Sequence, residues 1–167
     1  MNERKGEVFS IAEENAPVEG CTVSKAVAEV AGRRISHFAL SAGTDISPET
    51  YDYHKLWVVI DGEGEVLAAK NAKIAKGDAF VTPVGQPVGV KTEMGIVYTE
   101  IETGKEHKMK LNPGEALIFA LDGEGVIGYE GKEHTIKAGE NFAFAKNGAH
   151  WVRAEKPFKM ALLLTLD

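Results

Sequence analysis

The stretch Asp61-Gly62-Glu63-Gly64 recurs unchanged as Asp122-Gly123-Glu124-Gly125 later in the chain. Glycine adopts positive φ without strain, and Asp-Gly is a strong signal for a tight reversal between two strands. We therefore expect each copy to form a hairpin turn, at the same place in two similar parts of the molecule.

Two further pairs of segments repeat in the same order around these copies. IAKGDAF at 74–80 is similar to IKAGENF at 136–142, and GIVYTEIET at 95–103 is similar to KMALLLTLD at 159–167. Matches in the same order along the chain indicate an internal repeat. The sequence predicts an N-terminal arm at 1–22 and two structurally equivalent repeats at 23–103 and 104–167.

The apolar segments are short and do not follow the helical period. LWVVI at 56–60, EVLAA at 65–69 and DAFVTP at 78–83 are rich in strand-forming residues, and Gly, Asn or Pro follows or closes each one. Two more strands are predicted at 23–31 and 34–42. Short strands at intervals of about 8–12 residues predict an all-β sandwich or barrel with little helix, and the turns of such a fold account for the 18 glycines.

Composition narrows the choice of partners and compartment. The net charge is −6 without a long Lys or Arg run, so neither nucleic acid nor an anionic membrane surface is an expected partner. The single cysteine, Cys21, excludes an internal disulfide and a thiolate metal cage. The N-terminal stretch has no apolar signal segment, and no apolar run is long enough to cross a bilayer. A cytoplasmic protein is expected.

The glycine spacing resembles that of the cupin family of small β-barrels, whose motifs are G-x5-H-x-H-x3,4-E-x6-G and G-x5-P-x-G-x2-H-x3-N. The first repeat keeps this frame as Gly43-x5-Glu49-x-Tyr51-x3-Lys55-x6-Gly62 and Gly77-x5-Pro83-x-Gly85-x2-Val88. The second keeps it as Gly104-x5-Lys110-x-Asn112-x3-Ala116-x6-Gly123 and Gly139-x5-Ala145-x-Asn147-x2-His150. The resemblance implies a bicupin, with two tandem barrels of the double-stranded β-helix or jelly-roll type.

In the cupin family, three histidines and one glutamate of these motifs bind a divalent transition metal ion. The same positions here hold Glu49, Tyr51, Lys55 and Val88 in the first repeat, and Lys110, Asn112, Ala116 and His150 in the second. A lysine ammonium supplies only hydrogen-bond donors and repels a cation. No metal cofactor is therefore expected. The alternative left open is a divalent transition metal ion in the first repeat, held by Glu49, His54 and either Tyr51 or His37.

The alternation of side chains along a strand predicts a candidate pocket in the first repeat, around the positions of the cupin motifs. If Lys55 faces the barrel interior, Trp57 and Val59 face it too. The predicted ligand-binding residues of this repeat are Glu49, Tyr51, Lys55, Trp57 and Val88. Trp57 could stack on a sugar ring or a planar ligand, while Lys55 could receive a carboxylate or phosphate. The alternative is a filled barrel in which Lys55 forms an internal ion pair with Glu49.

The second repeat offers fewer polar groups. Its predicted ligand-binding residues are Lys110, Asn112 and His150, and a histidine packed in the core is the alternative for His150. Ala116 and Ala120 are small, so a roomy interior is expected. Trp151 should face outward by alternation.

Three functions remain open from the sequence, which does not decide whether the protein is an enzyme. The favoured one is a metal-free, cupin-type protein that binds a sugar-like or carboxylate small molecule in the first repeat. The second is a metal-dependent oxygenase or isomerase with non-standard ligands, with a metal-free acid–base enzyme using Glu49 and Tyr51 or Lys55 as its variant. The third is an assembly protein. A homodimer is the expected protein partnership.

Overall fold

The computed structural model describes residues 4–30, 33–104, 113–154 and 156–166. Apart from the one-turn helix α1 (Ile11–Glu14), the elements in these ranges are strands. The strands are β1 (Val8–Phe9), β2 (Thr22–Val30), β3 (Arg33–Leu40), β4 (Thr44–Thr50), β5 (His54–Leu67), β6 (Ala72–Ala75), β7 (Ala79–Val81), β8 (Pro87–Thr92), β9 (Ile96–Gly104), β10 (Pro113–Tyr129), β11 (Lys132–Lys137), β12 (Asn141–Phe144), β13 (His150–Arg153) and β14 (Phe158–Leu166). The prediction of an all-β fold with little helix is confirmed.

The chain divides into two compact units. The first unit comprises Asn15–Lys108, and its strands form one curled antiparallel sheet in the order β2-β3-β9-β5-β8-β4, with β6 and β7 also paired to β5. The two strands expected at 23–31 and 34–42 are β2 and β3, which pair antiparallel. Their predicted turn at Ala31-Gly32 lies outside the described residues.

The second unit comprises Met1–Glu14 together with Met109–Asp167. Its sheet has the order β1-β12-β10-β11, and β13 and β14 also pair with β10. Part of the segment expected to be an unpatterned arm is thus structured, because β1 pairs with β12 and Ile11 of α1 is fully buried. No helix in the described part of the chain is long and apolar enough to span a membrane.

The repeated Asp-Gly-Glu-Gly stretch is not a hairpin turn, contrary to the prediction. In the first unit the stretch lies within β5, which continues through it as a single bent strand. A β-bulge lies between Val59 and Asp61, and Gly62 has a φ of 75°. A Cβ on Gly62 would stand 2.2 Å from the carbonyl oxygen of Gly95, so the glycine is required by both φ and close backbone approach.

The second copy forms the same bend in β10 of the second unit. A bulge lies between Ala120 and Asp122, Gly123 has a φ of 78°, and a Cβ there would stand 2.2 Å from the carbonyl oxygen of Pro157. A glycine with positive φ is common both in β-bulges and in hairpin turns. The Asp-Gly-Glu-Gly sequence alone therefore did not show which of the two structures it forms. Each bend lets one long strand join two parts of its own curled sheet.

Candidate functional site

The interior face of β5 positions the polar centre of the first unit. Lys55, Trp57 and Val59 alternate onto one side of the strand and are all buried, with 7%, 5% and 1% of their surfaces exposed. Val59 and Trp57 belong to an apolar cluster that also contains Val88 and Val90. The alternation predicted from the sequence therefore places a lysine ammonium above an apolar floor.

A cavity of about 200 Å³ opens over this floor. All five residues proposed for the first repeat line it: Glu49, Tyr51, Lys55, Trp57 and Val88. Side chains from β3 and β9 complete the wall, so residues far apart in the chain converge on one space. At the ~30 Å³ that a liquid water molecule takes up, the volume corresponds to about six or seven waters, and is of the order of one monosaccharide ring.

A buried charge network occupies the centre of the cavity wall. The Nζ of Lys55 lies 3.0 Å from Oε1 of Glu100, and both side chains are about nine-tenths enclosed. The indole Nε1 of Trp57 donates to Oε2 of the same carboxylate at 2.8 Å. The internal ion pair considered from the sequence is therefore present with a different partner, because Lys55 pairs with Glu100 and Glu49 lies elsewhere.

Glu49 pairs instead with Tyr51, whose phenol donates a hydrogen bond to Oε2 of the carboxylate. This bond, with a smaller contribution from burial, raises the pKa of the Tyr51 phenol well above its usual value. The Nζ of Lys55 lies 3.5 Å from the centre of the Tyr51 ring, in a cation–π contact. Tyr51 therefore remains a neutral phenol that covers the ammonium from the more exposed side.

Aromatic rings form the apolar wall. The Tyr98 ring is stacked on Phe38 with centroids 5.2 Å apart, and lies 5.3 Å from the Trp57 ring. Burial raises the pKa of the Tyr98 phenol well above its usual value. Three flat faces are thus gathered beside the polar network, an arrangement of the kind that binds small molecules.

A second carboxylate, Glu102, lies farther along β9. It accepts a hydrogen bond from the backbone N–H of Arg34 at 3.2 Å and from the Tyr53 phenol at 3.3 Å. Burial, and secondarily the Glu102 charge, raises the pKa of the Tyr53 phenol. The charged side chains lining the cavity are Arg34, Lys55, Glu49, Glu100 and Glu102. Two cations against three carboxylates give the lining one excess negative charge.

The side chains around the cavity do not suit the divalent metal ion that the resemblance to cupins implies. No group of three or more His, Cys, Asp or Glu side chains suited to holding a metal ion occurs within the described ranges. At the centre stands the Lys55 ammonium, already paired with Glu100, and its charge opposes a second cation. The carboxylates around it are engaged by Trp57 and Tyr51.

The histidines of the alternative metal site point away from this cavity. The Nδ1 of His54 lies 2.7 Å from the carbonyl oxygen of Thr82, and His37 is buried with its Nδ1 2.9 Å from the Thr99 hydroxyl. Neither imidazole lines the cavity. The geometry thus supports no site that combines Glu49 with either histidine.

The second unit has a packed interior where a roomy one was expected. Ala116 and Ala120 belong to an apolar cluster with Phe142 and Phe144, whose rings take up the space beside the alanines. Phe142 and Phe144 lie 5.0 Å apart and both contact Tyr129. Two of the three proposed ligand-binding residues, Lys110 and Asn112, lie outside the described residues.

The third, His150, is exposed at the surface of the second unit. Its ring lies 4.3 Å from the Phe144 ring, and its Nδ1 is 2.8 Å from the carbonyl oxygen of Gly148. It is therefore neither enclosed in a pocket nor packed in the core. Trp151 is 44% exposed, as alternation predicted, and its indole lies flat where a Cβ on Gly128 would otherwise stand.

Sequence reasoning missed Glu100 and Glu102, which belong to the polar groups of the cavity, and Tyr98, which belongs to its aromatic wall. The alternation Tyr98-x-Glu100-x-Glu102 carried the signal, since these residues share one face of a strand. Their partners follow from the register of β5 and β9, in which Trp57 lies opposite Glu100 and Val59 opposite Tyr98. That register joins strands some forty residues apart, so local pattern alone did not supply it.

Comparison with known proteins identifies the type of fold. Residues 97–166 match the family model described as Cupin domain. Over nearly its whole length the chain is similar to a solved cupin 2 conserved barrel domain protein from Leptotrichia buccalis, with 20% identity, a TM-score of 0.84, and coverage of 99% of this chain and 98% of that one.

Two smaller solved structures are similar to part of the chain. A conserved protein of unknown function from Streptococcus pyogenes is 17% identical with a TM-score of 0.60, covering 64% of this chain and 95% of that one. A cupin superfamily protein from Desulfitobacterium hafniense is 18% identical with a TM-score of 0.58, covering 61% and 94%. No curated protein matches the sequence. At these identities the similarity establishes the fold alone.

Proposed function

Starting from a cupin-type fold with a lysine at the centre of its first unit, we propose that the protein binds a small molecule without a metal ion. The cavity of the first unit is the binding site. The observation that carries the proposal is the convergence of Lys55, Glu100, Tyr51 and Trp57 on one space. A few polar groups set in an apolar and aromatic wall are typical of small-molecule sites.

Between the two ligand classes suggested by the sequence, the charges favour a neutral, sugar-like ligand over a carboxylate. The Lys55 ammonium is compensated by Glu100, and Glu49 lies on the same cavity wall. An anionic ligand would meet a lining with excess negative charge in a partly enclosed site, where such repulsion is poorly screened. Hydroxyl groups can both donate to the carboxylates and accept from the ammonium.

The aromatic wall supports the same ligand class. The Trp57 nitrogen is already engaged by Glu100, so what this residue can offer a ligand is ring surface. Together with Tyr98 and Phe38 it forms an aromatic part of the cavity wall, and the cavity volume is that of a single ring rather than a large cofactor. The proposed ligand is therefore a monosaccharide or a polyol of similar size.

We further propose that the two units are tandem cupin domains, so that the chain is a bicupin. The supporting observation is the bend described above, which recurs at Gly62 and Gly123 with nearly the same φ and the same close approach to a carbonyl oxygen. On this proposal the ligand cavity belongs to the first unit, and within the described residues of the second unit phenylalanine rings pack the interior.

Isothermal titration calorimetry tests the binding proposal. Glucose, galactose, mannose, xylose and sorbitol are compared with gluconate and galacturonate on dialysed, metal-free protein. At least one neutral compound should bind, and gluconate and galacturonate should both bind more weakly than it does. If the acids bind better, or if binding appears only after a divalent metal ion is added, the proposal is wrong.

A matched pair of variants locates the site. Tyr51→Phe removes a hydroxyl that lines the cavity, and Tyr53→Phe removes the hydroxyl of a neighbour that does not line it. Loss of one hydrogen bond of about 1 kcal/mol should weaken binding about fivefold in Tyr51→Phe. Tyr53→Phe removes a hydrogen bond to Glu102 but no side chain of the cavity wall, so it should lose less affinity than Tyr51→Phe. Equal losses in both variants would place the ligand elsewhere.

A further inference from the structure

The phenol of Tyr98 is a buried polar group in the cavity wall of the first unit. Only 2% of the residue's surface is exposed, yet its side chain lines the cavity. Within the described residues its hydroxyl forms no hydrogen bond. A buried hydroxyl without a partner costs free energy, and buried polar groups in native proteins nearly always have a hydrogen-bond partner. A ligand that reached this hydroxyl would remove that cost.

The neighbours of Tyr98 hold its ring in place and direct the phenol toward the polar part of the cavity. The ring is stacked on Phe38 and lies 5.3 Å from the Trp57 ring. Tyr98 and Glu100 are two residues apart on β9, so their side chains lie on the same face of the strand. Burial, and after it the charge of Glu100, raises the pKa of the Tyr98 phenol well above its usual value. The phenol therefore keeps its proton and can donate it in a hydrogen bond beside that carboxylate.

The other large polar side chains of the wall are already engaged with one another. The Tyr51 hydroxyl and the Trp57 indole each donate to a carboxylate, and the Lys55 ammonium is paired with Glu100. These bonds do not use up the carboxylate oxygens, because each oxygen can accept about two hydrogen bonds. The wall thus offers free acceptor sites next to the donor of Tyr98.

We propose that Tyr98 is a specificity-determining residue of the cavity and recognises one hydroxyl group of the ligand. The ligand hydroxyl accepts a hydrogen bond from the Tyr98 phenol and donates its own proton to the carboxylate of Glu100. A hydroxyl oxygen can do both, whereas a carbonyl oxygen only accepts and an ammonium only donates. A ligand without that hydroxyl would leave the phenol unpaired and bind more weakly. The inference rests on the proposed binding of a neutral, sugar-like ligand.

Urea unfolding without any ligand tests whether the phenol is unpaired in the protein itself. Tyr98→Phe removes the hydroxyl and keeps the ring, so its urea midpoint should equal or exceed that of the unmodified protein. The matched control is Thr99→Val, because the buried Thr99 hydroxyl lies 2.9 Å from Nδ1 of His37. This control should have a lower midpoint, since it loses a hydrogen bond. A fall in Tyr98→Phe as large as that in Thr99→Val would overturn the inference, because the phenol would then be bonded within the protein.

Titration calorimetry with glucose, galactose, mannose, xylose and sorbitol tests the recognition of the ligand. The compound that binds the unmodified protein best should bind Tyr98→Phe at least about tenfold more weakly. Its affinity for Thr99→Val should be unchanged, because that side chain does not line the cavity. An unchanged affinity for Tyr98→Phe would overturn the inference and leave the proposed function standing. If none of the five compounds binds the unmodified protein, the proposed function fails and the inference fails with it.

Monodeoxy derivatives of the best-binding compound identify the hydroxyl that Tyr98 recognises. One derivative should bind the unmodified protein at least about tenfold more weakly than the parent compound does. The same derivative should bind Tyr98→Phe at least as tightly as it binds the unmodified protein, because the two partners of one hydrogen bond are then both absent and their effects do not add. A loss of affinity in Tyr98→Phe that is the same for the parent compound and for every derivative would contradict the recognition of a single hydroxyl.

Discussion

Removing both members of the Lys55–Glu100 pair should destabilise the fold no more than removing either one alone. Lys55→Met leaves the Glu100 carboxylate buried beside Trp57 without its cation. Glu100→Gln leaves the ammonium facing an amide, which can still accept from the Trp57 indole. The two charges are 3.0 Å apart and their side chains are only 9% and 10% exposed. A buried charge without its partner is costly because water cannot solvate it.

The magnitude follows from this burial. Breaking a buried pair costs about 3–5 kcal/mol, and the small remaining exposure favours the lower end, so about 3 kcal/mol is expected for each single change. The double variant should also cost about 3 kcal/mol, because neither charge is then left alone. The two single costs would sum to about 6 kcal/mol, so the expected coupling is about 3 kcal/mol, large for two residues in contact.

Urea unfolding at constant pH measures these differences through the midpoint and the slope of the transition. The matched control is Lys76→Met, because Lys76 lies 3.3 Å from Asp61 with both side chains about half exposed. That variant should lose less than about 0.5 kcal/mol, as exposed pairs do. Additive single costs, or a Glu100→Gln loss no larger than that of the control, would refute the buried network.

Two further predictions concern the scaffold. Burial, aided by the charge of Lys25, lowers the pKa of His37 from 6.5 to about 3. Between pH 7 and pH 5 the His37 side chain therefore takes up a proton in the unfolded chain but not in the folded one, and the free energy of unfolding should fall by about 2 kcal/mol. Urea unfolding of His37→Gln should show a pH dependence that is smaller by this amount. The same pH dependence in the variant and the unmodified protein would contradict the prediction. Gly43→Ala should lower the free energy of unfolding by about 1 kcal/mol, because alanine is strained at its positive φ. Gly62→Ala should cost at least twice as much, because its φ is also positive and its new Cβ would meet a backbone oxygen as well. Equal melting temperatures of the two variants would argue against this clash.

The sequence predicted those parts of the fold that depend on local pattern. Alternation from Lys55 placed Trp57 and Val59 on the interior face of β5, and the spacing of short strands predicted the all-β class. The predicted ion-pair partner of Lys55 was wrong, because the actual partner depends on the register between β5 and β9. Packing across the whole sheet sets that register. The sequence offered Glu49 nearby, but the strand pairing brought Glu100.

The errors in the second unit have a similar cause. Small residues at Ala116 and Ala120 suggested space, yet the volume inside a sheet depends on the side chains opposite. β12 pairs with β10 there, and Phe142 and Phe144 fill the region. His150 matched a family position, but it is the first residue of a four-residue strand on which both His150 and Trp151 are exposed. Its position in the motif therefore did not determine its surroundings.

The two indole groups of the protein test the central claim most directly. The chain has two tryptophans, Trp57 in the wall of the cavity and Trp151 exposed on the second unit. In a 15N–1H correlation spectrum of metal-free protein, a neutral monosaccharide that binds as proposed should shift the Trp57 indole signal, because its N–H donates to Glu100, and leave the Trp151 signal in place. An unmoved Trp57 signal across the neutral sugar panel, or a shift of Trp151 alone, would contradict a ligand site in the first unit.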